Sequence, residues 1–143
     1  MRYKDTDLRE QRDRAIFDAY NKALVERGFE SQAEAVEYVR THSAPRFFIS
    51  AEFCAIVISR LAAGKHPGVS GYQRIRKFRE LYRRYLIETD DPKNANASLR
   101  EICGRIVDQE APEFYLNFRA TSEIINRQRE ARQERLARYF NSE

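Results

Sequence analysis

The sequence predicts an all-α protein built from two tandem three-helix repeats that pack as one compact helical domain. Three observations predict this fold: apolar residues recur at helical spacing, the chain contains only five glycines and four prolines, and one segment occurs twice. A length of 143 residues is usual for one domain. We therefore expect a single domain over residues 1–143. Its parts are repeat one at about 8–63, a linker at 64–72 and repeat two at about 73–139.

The repeat consists of two segments that align without a gap. Residues 31–60 align with residues 98–127. Once five loop residues are allowed for, the similarity extends upstream, where residues 16–26 align with residues 78–88. The identical pairs in the longer alignment are Ser31 with Ser98, Glu34 with Glu101, Ala44-Pro45 with Ala111-Pro112, Phe47 with Phe114, Ile58 with Ile125 and Arg60 with Arg127. Since these identities recur in the same order, we interpret the chain as a duplication.

Each repeat carries the same signals for where its helices begin and end. Ser31 and Glu34 form a capping box, in which the serine oxygen accepts from a first-turn amide. Pro45 disfavours helical geometry at Ala44, so the short helix ends before it. Ser50 then caps the next helix, and the second copy has the same or similar residues at these places. The signals predict helices at 6–27, 31–42, 50–63, 73–87, 98–109 and 117–139.

The turn of each repeat carries a run of large apolar residues. The two runs are Phe47-Phe48-Ile49 and Phe114-Tyr115-Leu116. We interpret both as packing between the helices of their own unit. The alternative is a role in binding a ligand or stacking on a base, since exposed aromatic rings serve both purposes.

Positive charge is concentrated in one part of the chain. The formal net charge is +4 and the isoelectric point is near 9.2. Between Lys65 and Leu86 there are seven cations and one acid, Glu80. Such a local basic field attracts phosphate backbones or acidic protein surfaces, whereas a solvated helix face is the alternative. We expect six outward cations of the helix that starts near Gln73 to contact phosphates: Arg74, Arg76, Lys77, Arg79, Arg83 and Arg84.

The short helix, turn and third helix of each repeat resemble the helix-turn-helix arrangement, whose second helix lies in the major groove of DNA. The turn from about Thr41 to Ser50 is longer than the roughly three or four residues usual in that motif. The third helix of the first copy is very apolar. We expect only Glu52, Ala55 and Ser59 on its exposed face, which makes it a poor reader of bases.

The third helix of the second copy is the better candidate for contact with bases. It carries Arg119, Asn126 and Arg127, and these side-chain types can bind guanine, adenine or phosphate. Acidic residues on the same helix favour an alternative reading, a solvated or dimerising helix with internal ion pairs. Leu136 and Phe140 would then anchor a protein partner.

Catalytic and metal-binding patterns do not occur in the sequence. His42 and His66 have no cysteine, histidine or carboxylate at metal-ligand spacing, so we predict no enzyme activity, no metal and no cofactor. Cys54 and Cys103 lie among apolar residues, which predicts two buried free thiols and suits a reducing, cytoplasmic location. No run approaches the roughly 20 apolar residues of a membrane span, so we expect no membrane partner.

The duplicated segment Ala-Pro-[Arg/Glu]-Phe-[Phe/Tyr]-[Ile/Leu]-[Ser/Asn] resembles that of small bacterial proteins of unassigned function with a doubled APxFY-type segment. The resemblance covers residues 16–127, implies a helical duplicated fold and transfers no catalytic residues. From the charge pattern and the helix order we expect a non-catalytic, helix-turn-helix-like DNA-binding protein of a regulatory or mobile-element kind. The alternative is a helical-repeat adaptor that docks an acidic protein or forms a homodimer through its C-terminal helix.

Overall fold

The structure is a computed structural model that describes the backbone of residues 5–141 and the side chains of residues 7–141. Within these residues the chain forms six α-helices and one short 3-10 turn at Pro92–Asn94, with no strand. The helices are α1 Asp5–Arg27, α2 Gln32–Thr41, α3 Ala51–Ala62, α4 Tyr72–Asp90, α5 Leu99–Val107 and α6 Phe118–Asn141. The all-α prediction is confirmed. No described helix is both long and apolar enough to cross a membrane.

Side-chain caps at the predicted positions set the helix starts. The hydroxyls of Ser31, Ser50 and Ser98 each accept from the amide three residues on, at 3.1 to 3.2 Å. Asn117 caps α6 in the same way, at 2.8 Å. Helix α4 runs past its predicted end and stops at Asp90, because the next residue precedes a proline and is held in extended geometry.

The third helix of each predicted repeat packs on the other repeat. Helix α3 packs against α4 and α5, and α6 packs against α1 and α2. No comparable contact joins α2 to α3 within residues 5–141. The two helices of the expected helix-turn-helix are therefore apart, and the arrangement differs from that motif.

Two non-helical segments, residues 43–50 and 110–117, meet at the centre of the molecule, and we call them the extended segments. The amide of Ala44 donates to the carbonyl of Ala111 at 2.9 Å, and the amide of Ala111 donates to the carbonyl of Ala44 at 2.9 Å. The pair forms an isolated antiparallel bridge. Ala44 and Ala111 are aligned residues, so the bridge joins one position of the alignment to its counterpart.

The aromatic rings of the two turns pack across the predicted units, in place of the packing within each unit that the sequence predicts. Phe47 stacks on Tyr115, and Phe48 stacks on Phe114, each with ring centroids 6.2 Å apart. Because Phe47 aligns with Phe114 and Phe48 with Tyr115, the two contacts join the same pair of positions in opposite directions. Phe48 and Tyr115 also share φ values of 52° and 58°, in the left-handed region that bulky residues rarely adopt.

Buried side chains from all six helices form one apolar cluster. Cys54 and Cys103 belong to it as free thiols, as predicted. The polar loop after α4 is fixed by Asn94, which is only 4% exposed. The Asn94 amide donates to the Glu88 carbonyl at 2.7 Å, and its oxygen accepts from the guanidinium of Arg105.

Candidate nucleic-acid interface

Two of the predicted phosphate-binding cations cover aromatic rings in the centre of the fold. Arg76 donates to both carboxylate oxygens of Glu113, at 2.6 and 2.9 Å, and its guanidinium lies 5.5 Å from the centre of the Tyr115 ring. Arg84 lies 4.8 Å from the centre of the Phe47 ring and donates to a backbone carbonyl after α5 at 2.7 Å. Neither side chain points freely outward, which corrects the expectation from the helix pattern.

Other predicted cations lie on the outer faces of α4 and α6. Arg83 is exposed and donates to Glu80 at 2.7 Å, and Arg119 donates to a glutamate one turn along α6 at 3.1 Å. Arg79 and Arg127 are exposed and form no ion pair with any residue of 7–141. Asn126 is exposed beside Arg127. The α6 residues do not lie with those of α4, because α6 packs on α1 and α2.

Arg74 and Lys77 open onto a cavity of about 350 Å³, which lies between the starts of α1 and α4 and the two extended segments. We call it the basic cavity. Its lining residues are Leu8, Arg9, Arg12, Phe47, Phe48, Ile49, Phe53, Arg74, Lys77, Phe78, Phe114, Tyr115 and Leu116. Within the part of the chain that the structure describes, this lining contains four cations and no carboxylate.

Helix α1 supplies two of the four cations, Arg9 and Arg12, and sequence reasoning missed both. Arg12 donates to its neighbour Asp13 at 2.9 Å. Arg9, Arg74 and Lys77 make no ion pair with the described side chains. Four cations with a single carboxylate partner among them create a positive potential that favours an anion in the cavity. In the sequence, Arg9 and Arg12 stand among acidic residues, so only the structure shows that they line the same cavity as Arg74 and Lys77.

Lys77 is the most deeply placed of the four. Burial, and after it the charges of Arg12 and Arg74, lowers the pKa of the Lys77 amine from 10.5 to about 8. The amine is thus held charged at neutral pH at a cost in free energy. A bound anion would offset this cost, because an opposite charge nearby favours the protonated form.

Aromatic rings form the uncharged wall of the basic cavity. Phe53 is 42% exposed and meets Phe78 edge-on, with ring centroids 5.8 Å apart. Ile56 is also exposed, so α3 shows more apolar surface than its sequence predicts. Burial, followed by the charges of Glu80 and Glu113, raises the pKa of Tyr115 to about 12, so its hydroxyl stays protonated.

The basic cavity is lined largely by residues that are aligned between the two predicted repeats. Arg12 precedes Ile16 by the same spacing as Arg74 precedes Phe78, so the two arginines align. The three-residue runs of the two turns form matching parts of the wall. Lys77 departs from this correspondence, because Ala15 occupies the aligned position in α1.

The two histidines make local contacts away from the basic cavity. His42 stacks on Tyr38 with ring centroids 3.7 Å apart. His66 accepts from the amide of Gly68 at 3.0 Å. No group of three or more histidine, cysteine or acidic side chains suited to a metal ion occurs within the described residues.

The end of α6 leaves the body of the protein. Every residue from Arg132 to Asn141 is exposed. Three large apolar side chains are among them: Leu136 is 48% exposed, and Tyr139 and Phe140 are each 70% exposed.

Comparison with known protein families, with curated proteins and with solved structures gives no match for the chain. The basic cavity and the exposed end of α6 are the two surfaces that bear on its function.

Proposed function

We propose that the protein is a non-catalytic nucleic-acid-binding protein, with DNA as the expected ligand, that holds the phosphate backbone at the basic cavity. One observation supports this proposal above the others: Arg9, Arg12, Arg74 and Lys77 converge from two helices on a cavity without a lining carboxylate among the described residues. Arginine binds phosphate through paired hydrogen bonds, and lysine binds it as a point charge.

The outer cations take a secondary part in this proposal. Arg79, Asn126 and Arg127 are exposed and free of carboxylate partners within residues 7–141. They could contact a nucleic acid that extends beyond the basic cavity. Arg76 and Arg84 contribute mainly to the fold, since their guanidinium groups already cover aromatic rings.

The test is fluorescence anisotropy of labelled random-sequence DNA, single-stranded and duplex, titrated with the protein at low and moderate salt. We expect sub-micromolar binding to at least one of them that weakens steeply with salt, because phosphate contacts release counterions. The double variant Arg12→Gln/Arg74→Gln should bind roughly tenfold more weakly or worse, and its salt slope should fall by roughly 1.4 to 1.8.

A charge-matched control separates the site from the net charge. Arg14→Gln/Lys65→Gln removes two exposed cations outside the basic cavity and should leave affinity within about threefold of the parent. Circular dichroism confirms that each variant is folded. No binding at low salt to either form of DNA, or equal losses in the two double variants, would refute the proposal.

A second candidate function is protein interaction through the end of α6, as in an adaptor or a homodimer. The supporting observation is the exposure of Leu136, Tyr139 and Phe140 on a segment that extends from the body. Sedimentation equilibrium over a range of protein concentrations tests self-association. Under this candidate the parent protein dimerises and Leu136→Glu/Phe140→Glu is monomeric; a monomeric parent protein removes the homodimer.

A further inference from the structure

We infer that the basic cavity takes one unpaired nucleotide of a single-stranded nucleic acid, with its base against the Phe53 ring and its flanking phosphates at the four cations. This inference rests on the proposed function and narrows it from nucleic acid in general to single strands. It follows from the size of the cavity, from the exposed Phe53 ring in its aromatic wall and from the number of its cations.

The size of the basic cavity admits a base and excludes a duplex. Its volume of about 350 Å³ lies near the lower end of the roughly 300–1,000 Å³ found for small-ligand sites. Duplex DNA is a convex rod whose major groove alone is roughly 12 Å wide. It can touch the rim of such a cavity, whereas a single unpaired base can enter it.

The wall offers the Phe53 ring for stacking, and apart from the cations and the Tyr115 hydroxyl its described side chains cannot hydrogen-bond to base edges. Phe53 is 42% exposed, whereas Phe48 is half-buried, stacks on Phe114 and has the guanidinium of Arg46 6.0 Å from its ring centre. No asparagine, glutamine, aspartate or glutamate lines the basic cavity within the described residues. Stacking on aromatic rings accepts every base, so we expect weak sequence preference.

The cations fit a strand better than they fit a single phosphate group. Arg9 and Arg12 lie on α1, while Arg74 and Lys77 lie on α4. Each phosphodiester carries one negative charge, so four cations exceed what one phosphate requires. Two phosphates that flank a single inserted base match this arrangement, because the aligned residues Arg12 and Arg74 can each contact one of them.

The experiment compares three unlabelled competitors for a labelled oligothymidylate: the same strand, a duplex of equal length, and an abasic strand with the same phosphates. Base stacking strengthens binding by roughly fivefold to 150-fold per base. We expect the thymidylate strand to compete at least fivefold better than either the abasic strand or the duplex.

Matched aromatic variants locate the stacking. Phe53→Leu removes a half-exposed ring from the basic cavity, and Phe118→Leu removes a ring of similar exposure, 41%, outside it. Phe53→Leu should weaken thymidylate binding at least fivefold and leave abasic binding unchanged, whereas Phe118→Leu should change neither. Fluorescence of 2-aminopurine in the strand should be quenched by the parent protein and less so by Phe53→Leu.

The outcomes separate this inference from the proposed function. If duplex and abasic strand compete as well as the thymidylate strand, the phosphate site stands and the inserted base is refuted. The same holds if Phe53→Leu and Phe118→Leu bind alike. If no nucleic acid binds at low salt, the proposed function fails together with the inference.

Discussion

Replacing Lys77 by methionine should stabilise the fold and weaken the binding of nucleic acid. The amine has a pKa of about 8 in place of 10.5, because it is buried and faces Arg12 and Arg74. Each pKa unit corresponds to roughly 1.4 kcal/mol, so the charged amine costs about 3 kcal/mol of folding free energy at neutral pH. Methionine has a similar length and no charge. Since Lys77 keeps some contact with solvent, we expect a gain of about 1 to 3 kcal/mol.

The pH dependence of this gain checks its cause. Between about pH 8 and pH 10.5 the unfolded chain holds the Lys77 proton and the folded chain releases it, so the stability of the parent rises with pH. Lys77→Met lacks this rise. Its advantage should therefore be largest below pH 8 and shrink above it. Tyr115, whose pKa is raised to about 12, affects both proteins equally and cancels in the comparison.

The assay is guanidinium unfolding followed by circular dichroism at pH 7 and pH 9.5. Thermal unfolding gives a second readout. For a chain of this size, a gain of about 2 kcal/mol corresponds to a rise of roughly 6 °C in Tm. Arg79→Met is the control, because it removes an exposed cation from the same helix and should stay within about 0.5 kcal/mol of the parent. A loss of stability in Lys77→Met, or an equal gain at both pH values, would refute the reasoning.

Three further predictions concern the fold. Asn94→Ala should lose about 1 to 3 kcal/mol of stability in denaturant unfolding, because it leaves buried polar groups unpaired, whereas the exposed Asn96→Ala should lose little. The thiols of Cys54 and Cys103 should react with a thiol reagent only after unfolding, since both are buried. Phe47→Ala should cost about 3 to 5 kcal/mol and still melt in one calorimetric transition, whereas two transitions would contradict a shared core.

The positions of the helices could be predicted because their signals are local. A capping serine such as Ser50 acts on an amide three residues away, and a proline such as Pro45 acts on its neighbour. The partner of each helix could not be predicted in the same way. An apolar stripe shows that a face is buried but not against which helix, so the sequence does not indicate that α3 packs on α4 and α5 and that α6 packs on α1 and α2.

The candidate site was predictable only in part, for a similar reason. Helical periodicity places Arg76 and Arg84 away from the apolar stripe, yet each side chain is long enough to fold back over an aromatic ring. Arg74 and Lys77 were predicted as phosphate contacts and do line the basic cavity. Arg12 could not be predicted from the sequence, because Asp13 beside it offsets its charge and the start of α1 shows no local excess of cations.

Lys77 also shows how a cavity made from two aligned halves could bind a ligand in one direction. Its wall pairs Arg12 with Arg74, and such a wall alone would accept a strand in either orientation. The position of α1 that aligns with Lys77 holds Ala15. Lys77 therefore adds a lysine contact from α4 that α1 does not match. Lys77 costs about 1 to 3 kcal/mol, has no carboxylate partner among the described residues, and its amine contacts the Phe78 ring, 5.8 Å from the ring centre. Residues that lower stability without a structural gain are expected where a ligand restores the balance.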